Sequence, residues 1–313
     1  MTFGQAWGWG AGRPDAGRML DLYLDRAGNF VDTASNYTDG ESETYLGELL
    51  EGRRERVVLA TKYSLTADPD DPNAGGNQRK ALVRSLETSL RRLGTDRVDL
   101  LWMHMYDGLT PIDEVIRALD DLVRAGKVLA IGLSDTPAWV VARGAAVAEL
   151  RGWSRVSAIQ LPYGPASRDG ERELLPMAAG HGLAVLAWGV LGGGILSGGE
   201  VRSAKATPSE QQARVAAELA AVARENDAPT AAVAVAWVLE QRRRANLIPL
   251  LGARTPSQLE GLLRSLELAL TAEQLARIDA AAAADLGFPG RFLADDEVVQ
   301  LIFGRTRQRI AAC

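Results

Sequence analysis

Short apolar runs alternate with longer amphipathic segments along this chain of 313 residues. Such alternation is typical of βα units, in which each strand of a parallel sheet is followed by a helix that covers it. The pattern predicts strands over 29–33, 57–62, 98–104, 128–133, 157–162, 183–188 and 247–251. It predicts helices over 15–27, 41–51, 77–93, 112–125, 137–150, 169–181, 209–225, 229–243, 256–267 and 272–284. We therefore expect one α/β domain over residues 1–313.

The number of predicted strands is one short of a closed barrel of βα units, which needs eight parallel strands. Only Met1-Thr-Phe-Gly4 is available before the first helix for the missing strand. The expected fold is thus a (β/α)8 TIM barrel whose first strand is truncated or missing, and we favour a start of translation upstream of Met1 over a strand shortened to this stub. The segments 65–76 and 285–295 are predicted to be loops over a site, because both are irregular and contain Gly and Pro.

Charge and cysteine content narrow the classes of function. The formal net charge of −5 is spread along the chain without a basic cluster, which argues against nucleic acid or an anionic membrane as the partner. The one cysteine, Cys313, allows no intramolecular disulfide and no multi-cysteine metal site. No uncharged run approaches the ~20 residues that span a bilayer. These features predict a cytoplasmic protein that binds no metal and acts on a small molecule, and they identify no protein partner.

Four polar residues follow or end three successive strand-like runs. Asp32 closes the first run and Tyr37 follows five residues later, whereas Lys62 and His104 end the next two. A buried carboxylate or ammonium is costly unless it is paired, and strand ends of one barrel surround one cavity, so the set indicates catalysis. Taken singly, each has an ordinary structural explanation: Asp32 as a cap, Tyr37 as a packed aromatic, Lys62 as a surface lysine and His104 as a core histidine.

In this order, the residues resemble the aldo-keto reductase superfamily, and the likeness extends from Met1 to about Phe292. Its catalytic segments are similar to Phe30-Val-Asp-Thr-Ala-Ser-Asn-Tyr37, Gly40-Glu-Ser-Glu43, Leu46-Gly47, Ala60-Thr-Lys62 and Asp99-Leu-Leu-Trp-Met-His104. Its cofactor segments are similar to Gly126-Lys-Val-Leu-Ala-Ile-Gly-Leu-Ser134, Ala158-Ile-Gln160, Leu186-Ala-Trp-Gly-Val-Leu-Gly-Gly-Gly194 and Pro249-Leu-Leu-Gly-Ala-Arg-Thr255. The resemblance implies a (β/α)8 barrel that reduces carbonyl compounds with NADPH. Members of the family normally carry the first barrel strand ahead of the segment that corresponds to Met1, which favours the upstream start.

The resemblance implies one role for each of the four polar residues. Tyr37 delivers a proton to the oxygen of the reduced carbonyl, and a phenol with a reference pKa of ~10 needs help to do so at neutral pH. Lys62 favours the phenolate, and Asp32 pairs with Lys62 and offsets the cost of its burial. His104 donates a hydrogen bond that orients the carbonyl.

The nicotinamide end of the cofactor is implied to lie against Ser134, Asp135 and Gln160, with Trp188 stacked on the ring. The chain departs from the family at Asp135, where members usually have Asn, so an amide donor is replaced by a carboxylate that only accepts when ionised. The glycine run 192–194 is implied to hold the pyrophosphate. The implied cofactor contacts outside the nicotinamide pocket are Gly189, Val190, Leu191, Gly193, Gly252, Arg254, Ser257 and Gln258.

The choice of cofactor depends on Arg254, whose guanidinium can pair with a 2′-phosphate and so favours NADP(H) over NAD(H). A solvated surface arginine is the alternative explanation. A second departure from the family is Leu262, where members usually have an Asn that contacts adenine, and this change is expected to reduce cofactor affinity.

Aromatic residues are expected to rim a pocket for a small carbonyl substrate. They are Trp7, Trp9, Tyr63, Trp102, Tyr106, Phe288 and Phe292. Two other functions stay open. One is a nucleotide-sensing or scaffolding protein on the same fold with little turnover, since the potassium-channel β subunits resemble this family; the weaker one is a barrel hydrolase or isomerase without nicotinamide.

Overall fold

A computed structural model describes residues 3–198 and 207–310 of the chain. Within them, seven strands form one sheet in the order of the sequence, and every neighbouring pair is parallel. The strands are β1 Phe30–Asp32, β2 Val58–Tyr63, β3 Val98–Met103, β4 Val128–Ser134, β5 Val156–Pro162, β6 Ala184–Trp188 and β7 Asn246–Pro249. All seven predicted strands are confirmed to within two residues at each end.

The helices follow the strands as the βα pattern predicts. They are α1 Arg13–Asp25, α2 Glu41–Leu49, α3 Arg79–Leu93, α4 Ile112–Arg124, α5 Ala138–Arg151, α6 Leu174–Gly180, α7 Glu210–Glu225, α8 Thr230–Glu240, α9 Pro256–Leu263, α10 Ala272–Ala281, α11 Gly287–Ala294 and α12 Asp296–Phe303. In the described part of the chain, no helix has the length and apolar character that crossing a membrane requires.

The last two helices correct the expectation of an irregular loop over 285–295. α11 forms despite Gly287, Pro289 and Gly290, with non-helical dihedral angles at Phe288. α12 begins behind an N-cap, Asp295, whose side chain accepts a hydrogen bond from the backbone N–H two residues later. The sequence pattern did not predict this helix, because glycine and proline usually interrupt helices.

The sheet curls so that one face encloses an apolar interior. Side chains from all seven strands meet there, although β1 and β7 are at opposite ends of the strand order. The members of this interior cluster are Phe30, Ala60, Leu100, Trp102, Ala130, Ala158, Ala184, Leu186, Ile248 and Leu250. Gly132 provides room for the largest of them, since a Cβ atom at this position would lie 2.4 Å from the indole ring of Trp102. The alternating residues of the strands face outward and pack against the helices.

A cleft separates the two end strands of the described sheet. It is lined by apolar side chains of β1 and β7 together with Phe3 and residues of α1 and α9. Phe3 forms an isolated parallel bridge with Ala11 instead of extending the sheet. Phe3 therefore does not belong to a shortened first barrel strand, and for this residue that alternative is wrong. The residues before it, Met1 and Thr2, lie outside the described part of the chain. The architecture is a curled parallel sheet with the form of a barrel that lacks one strand.

Candidate active site

The four predicted catalytic residues come together at the carboxyl edge of the sheet. Asp32 is the last residue of β1, Lys62 is the penultimate residue of β2, and His104 directly follows β3. Tyr37 opens the 3-10 turn between β1 and α2. Because the strands are parallel and neighbouring, their carboxyl ends lie side by side, which is why residues far apart in sequence share one site.

Lys62 and Asp32 form a buried ion pair. The Lys62 ammonium donates to Asp32 Oδ2 and to the backbone oxygen of Thr33 at 2.8 Å, and the lysine side chain is 0% exposed. Burial is the largest influence and lowers the pKa of Lys62, but the charges of Asp32 and Tyr37 and the hydrogen bonds to both together outweigh it, so the net shift of this pKa is upward. The ammonium therefore stays charged inside the protein, as its predicted role requires.

Tyr37 lies beside this ion pair, with its ring centroid 4.8 Å from Lys62 Nζ. Burial raises the pKa of Tyr37; Lys62 lowers it and Asp32 raises it, and the net direction is upward. The expectation that Lys62 favours the phenolate holds for its own effect, but burial and Asp32 outweigh it. In this state Tyr37 keeps its proton at neutral pH. It can still protonate an alkoxide, which is about as basic as hydroxide, the conjugate base of water with a pKa of ~15.7.

His104 packs edge-on against Tyr37, with ring centroids 5.7 Å apart. Burial, and secondarily the charge of Lys62, lowers the pKa of His104 from 6.5 to about 3. The imidazole is therefore neutral at physiological pH. Its Nδ1 is buried and has no hydrogen-bond partner in the described part of the chain. A neutral ring beside the phenol can orient a carbonyl oxygen without competing as an acid.

A second buried carboxylate, for which no individual role was predicted, supports the turn that carries Tyr37. Glu43 is fully buried; it accepts from Thr61 Oγ1 at 2.6 Å and pairs with Arg92 at 3.3 Å. The same guanidinium donates to the backbone oxygen of Ser35 at 2.8 Å. Gly40 lets Arg92 approach, because a Cβ atom there would lie 2.3 Å from its guanidinium carbon. The sequence signal for Glu43 was its place in the segment Gly40-Glu-Ser-Glu43, which resembles the family but predicted no individual role for this glutamate.

The residues expected to hold nicotinamide line the same edge on the next strands. Ser134 ends β4, Gln160 lies in β5 and Trp188 ends β6. The Ser134 hydroxyl is buried without a hydrogen-bond partner in the described residues, so a ligand amide would satisfy it. Gln160 Nε2 donates to Asp32 Oδ1 at 3.3 Å, which ties this group to the catalytic residues. Polar atoms with spare hydrogen-bonding capacity beside a half-exposed indole fit a nicotinamide carboxamide.

The loop after β6, which is expected to hold the pyrophosphate, turns tightly through glycines. Gly189 and Gly193 have φ values of +69° and +70°, in the left-handed region that favours glycine. Leu191 is half-buried and Val190 is buried in the core, so Val190 offers its backbone rather than its side chain to a ligand.

The loop after β7 leads into α9, whose first turn is the expected adenosine site. Thr255 caps the helix, and Gln258 Oε1 accepts from the backbone N–H of Arg254 at 2.9 Å. Gly252 and Ser257 are exposed. Leu262 is buried and packs against the core, and its expected effect on cofactor affinity stays a prediction.

Aromatic residues surround Tyr37 on the side of the N-terminal segment. The Trp7 ring lies 6.3 Å from that of Tyr37 and 5.9 Å from that of Trp9. Trp7 Nε1 donates to Asp39 at 3.0 Å, and Glu41 accepts from two backbone N–H groups of the same segment. These contacts hold Trp7 against the turn that carries the phenol, with Trp9 beside it.

Other members of the predicted substrate rim lie elsewhere. Tyr63 is 1% exposed and packs between the sheet and the helices, because it follows the inward-facing Lys62 and strand residues alternate. Trp102 is fully buried in the sheet interior. Both assignments to the rim are corrected. Tyr106 is half-buried after β3, and Phe288 and Phe292 are exposed on α11 with ring centroids 6.1 Å apart.

Comparison with known proteins agrees with this geometry. The model of the family described as "Aldo/keto reductase family" matches residues 1–283. An aryl-alcohol dehydrogenase of Pestalotiopsis microspora is 37% identical over 94% of this chain and 80% of that protein. A norsolorinic acid reductase of Emericella nidulans is 38% identical over 94% of this chain and 79% of that protein. A norsolorinic acid reductase of Aspergillus flavus is 36% identical over 94% of this chain and 79% of that protein.

Proposed function

This chain belongs to the aldo/keto reductase family, and we propose that it is an NADPH-dependent oxidoreductase that interconverts aromatic carbonyl compounds and their alcohols, with Tyr37 as the proton donor. One observation carries the proposal: a fully buried, charged Lys62–Asp32 pair lies beside a tyrosine whose ring packs on a neutral histidine. Buried charges of this kind are costly and cluster at functional sites. The family and the relatives' names support a carbonyl oxidoreductase.

The residues divide the chemistry of reduction between them. The nicotinamide, when bound, supplies a hydride to the carbonyl carbon. Tyr37 gives its proton to the carbonyl oxygen, so that the C=O bond becomes CH–OH and Tyr37 is left as a phenolate. Lys62 stabilises that phenolate, and Asp32 keeps the ammonium in place. His104, neutral and packed on Tyr37, orients the oxygen.

The preference for an aromatic substrate has two supports. The rings of Trp7, Trp9 and Tyr37 lie close together beside the proposed proton donor, and aromatic pairs add favourable energy beyond burial. The names of the relatives refer to aryl alcohols and to norsolorinic acid. NADP(H) is proposed because Arg254 lies at the end of the loop that leads into α9, directly before the N-cap Thr255, where a guanidinium can pair with a 2′-phosphate.

The test is the consumption of NADPH with an aromatic aldehyde, followed by its absorbance. Tyr37→Phe removes the proton donor and should lower kcat by at least about 10²-fold, the usual contribution of general acid catalysis. Tyr45→Phe, on α2, is the matched control and should leave turnover unchanged. Full turnover in Tyr37→Phe would overturn the mechanism, and absence of NADPH consumption by the unmodified chain with any carbonyl would overturn the function.

A further inference from the structure

Asp135 is held at the proposed nicotinamide pocket in a conformation that few residues adopt. Its φ is +44°, in the left-handed region that Asp and Asn tolerate better than other side chains. Its backbone N–H donates to the backbone carbonyl oxygen of Gln160 at 3.0 Å. Its carboxylate accepts from Trp188 Nε1 at 3.1 Å. These two contacts hold the carboxylate beside the indole, and the preceding residue, Ser134, has a buried hydroxyl without a hydrogen-bond partner in the described part of the chain.

The charges around this carboxylate leave it uncompensated. Lys62 and Asp32 form an ion pair whose charges cancel, and His104 is neutral. Tyr37 holds its proton, and the negative charge of Asp135 is among the influences that raise the pKa of that phenol. Burial raises the pKa of Asp135 itself, while the Trp188 hydrogen bond and the charge of Lys62 oppose the shift. Ionised Asp135 thus gives the site a net negative charge.

We infer that Asp135 makes the site bind the oxidised nicotinamide, which is cationic, in preference to the reduced and neutral form. This rests on the proposed function. The carboxylate accepts from an amide N–H of the carboxamide, but it attracts the ring only when the ring is charged. An amide at this position would treat both forms alike. The residue is therefore a specificity determinant for the redox state of the cofactor.

The direct test measures the dissociation constants of NADP+ and NADPH by titration of tryptophan fluorescence at pH 8. In Asp135→Asn the preference for NADP+ over NADPH should fall about tenfold, because a full charge is removed from a half-buried site. Asn keeps the shape, tolerates the left-handed backbone and still accepts from Trp188. Asp113→Asn, which removes an equal charge from the outer face of α4, is the control and should leave the ratio unchanged.

The outcomes separate this inference from the proposed function. If the unmodified chain binds neither form, the proposed function fails. If it binds both forms and Asp135→Asn leaves the ratio of the two constants as it was, only the role of Asp135 is overturned. Asp135→Gly provides a second variant should the amide prevent folding, since glycine adopts a positive φ without strain. It should shift the ratio in the same direction, and an unchanged ratio contradicts the inference equally.

Discussion

The buried ion pair of Lys62 and Asp32 leads to a prediction in which a second substitution restores stability but not activity. We expect Asp32→Asn and Lys62→Met each to destabilise the protein strongly, and the double variant to recover much of that loss. The reason is that a single replacement leaves one charge inside the protein without its partner, whereas the double replacement removes both charges. Activity should be lost in all three variants. Lys62→Met and the double variant remove the cation beside the phenol of Tyr37, and Asp32→Asn removes the carboxylate that holds this cation in place.

The structure sets the size of these effects. Removing one member of a buried pair costs about 3–5 kcal/mol of unfolding free energy. Asp32→Asn should lie near the lower end, because the oxygen of Thr33 still accepts from the ammonium at 2.8 Å. Lys62→Met leaves the Asp32 carboxylate with the amide of Gln160 at 3.3 Å as a weaker partner. The double variant should lie within about 1–2 kcal/mol of the unmodified chain, since an apolar replacement of a buried pair is often neutral.

Urea unfolding followed by circular dichroism measures these free energies, and the four proteins form a double-mutant cycle. The matched control is the exposed pair of Arg143 and Asp113, whose side chains are 58% and 42% exposed. Asp113→Asn should cost less than about 1 kcal/mol, because water and salt screen an exposed pair. If Asp32→Asn costs no more than this control, or if the two single losses simply add in the double variant, the pair is not the buried unit described here.

Three further predictions concern pH, a second buried cation and packing. The unfolding free energy should fall as the pH drops below 6.5, by up to about 1.4 kcal/mol per unit, because His104 with its folded pKa of about 3 takes up its proton only on unfolding. His104→Gln should flatten this slope in urea titrations at several pH values, whereas the exposed His181→Gln should not. Arg168→Met should cost about 3–5 kcal/mol in the same assay, because the buried guanidinium bonds to two carboxylates and a backbone oxygen; a loss below 1 kcal/mol would contradict this. Gly132→Ala should cost about 1–3 kcal/mol through its clash with Trp102, and adding Trp102→Leu should relieve that clash; no recovery in the double variant would count against it.

The sequence predicted the strands and the meeting of four polar residues at one edge of the sheet, for a physical reason. A βα repeat fixes strand spacing through hydrophobic period, and parallel strands bring their carboxyl ends together whatever the details of packing. Asp32, Lys62 and His104 are therefore neighbours as soon as the three strands pair in order. The alternation of side chains along a strand also determines where Tyr63 points, because its neighbour Lys62 faces inward. The burial of Tyr63 away from the substrate rim could therefore have been predicted from the sequence.

Other features depend on packing that no local pattern encodes. The full burial of Trp102 results from the curl of the sheet and from the space beside Gly132. The pairing of Glu43 with Arg92 joins α2 to the end of α3 and depends on how two helices meet. The upward shift of the Tyr37 pKa results from burial and three nearby charges that act in opposite directions. Its direction follows only from the three-dimensional arrangement of these groups.

The upward shift of the Tyr37 pKa links the proposed catalytic residues to Asp135. For reduction, Tyr37 must hold a proton until the alkoxide forms, and burial, Asp32 and Asp135 all raise its pKa. For oxidation, the phenol must lose its proton, and a cationic ring beside Asp135 would offset the negative charge that opposes this loss. The same carboxylate thus favours a protonated Tyr37 in the free protein and would oppose its ionisation less once an oxidised cofactor is bound. In Asp135→Asn we therefore expect the pH profile of alcohol oxidation to change more than that of carbonyl reduction. Equal changes in both profiles would mean that Asp135 acts on Tyr37 independently of the cofactor's charge.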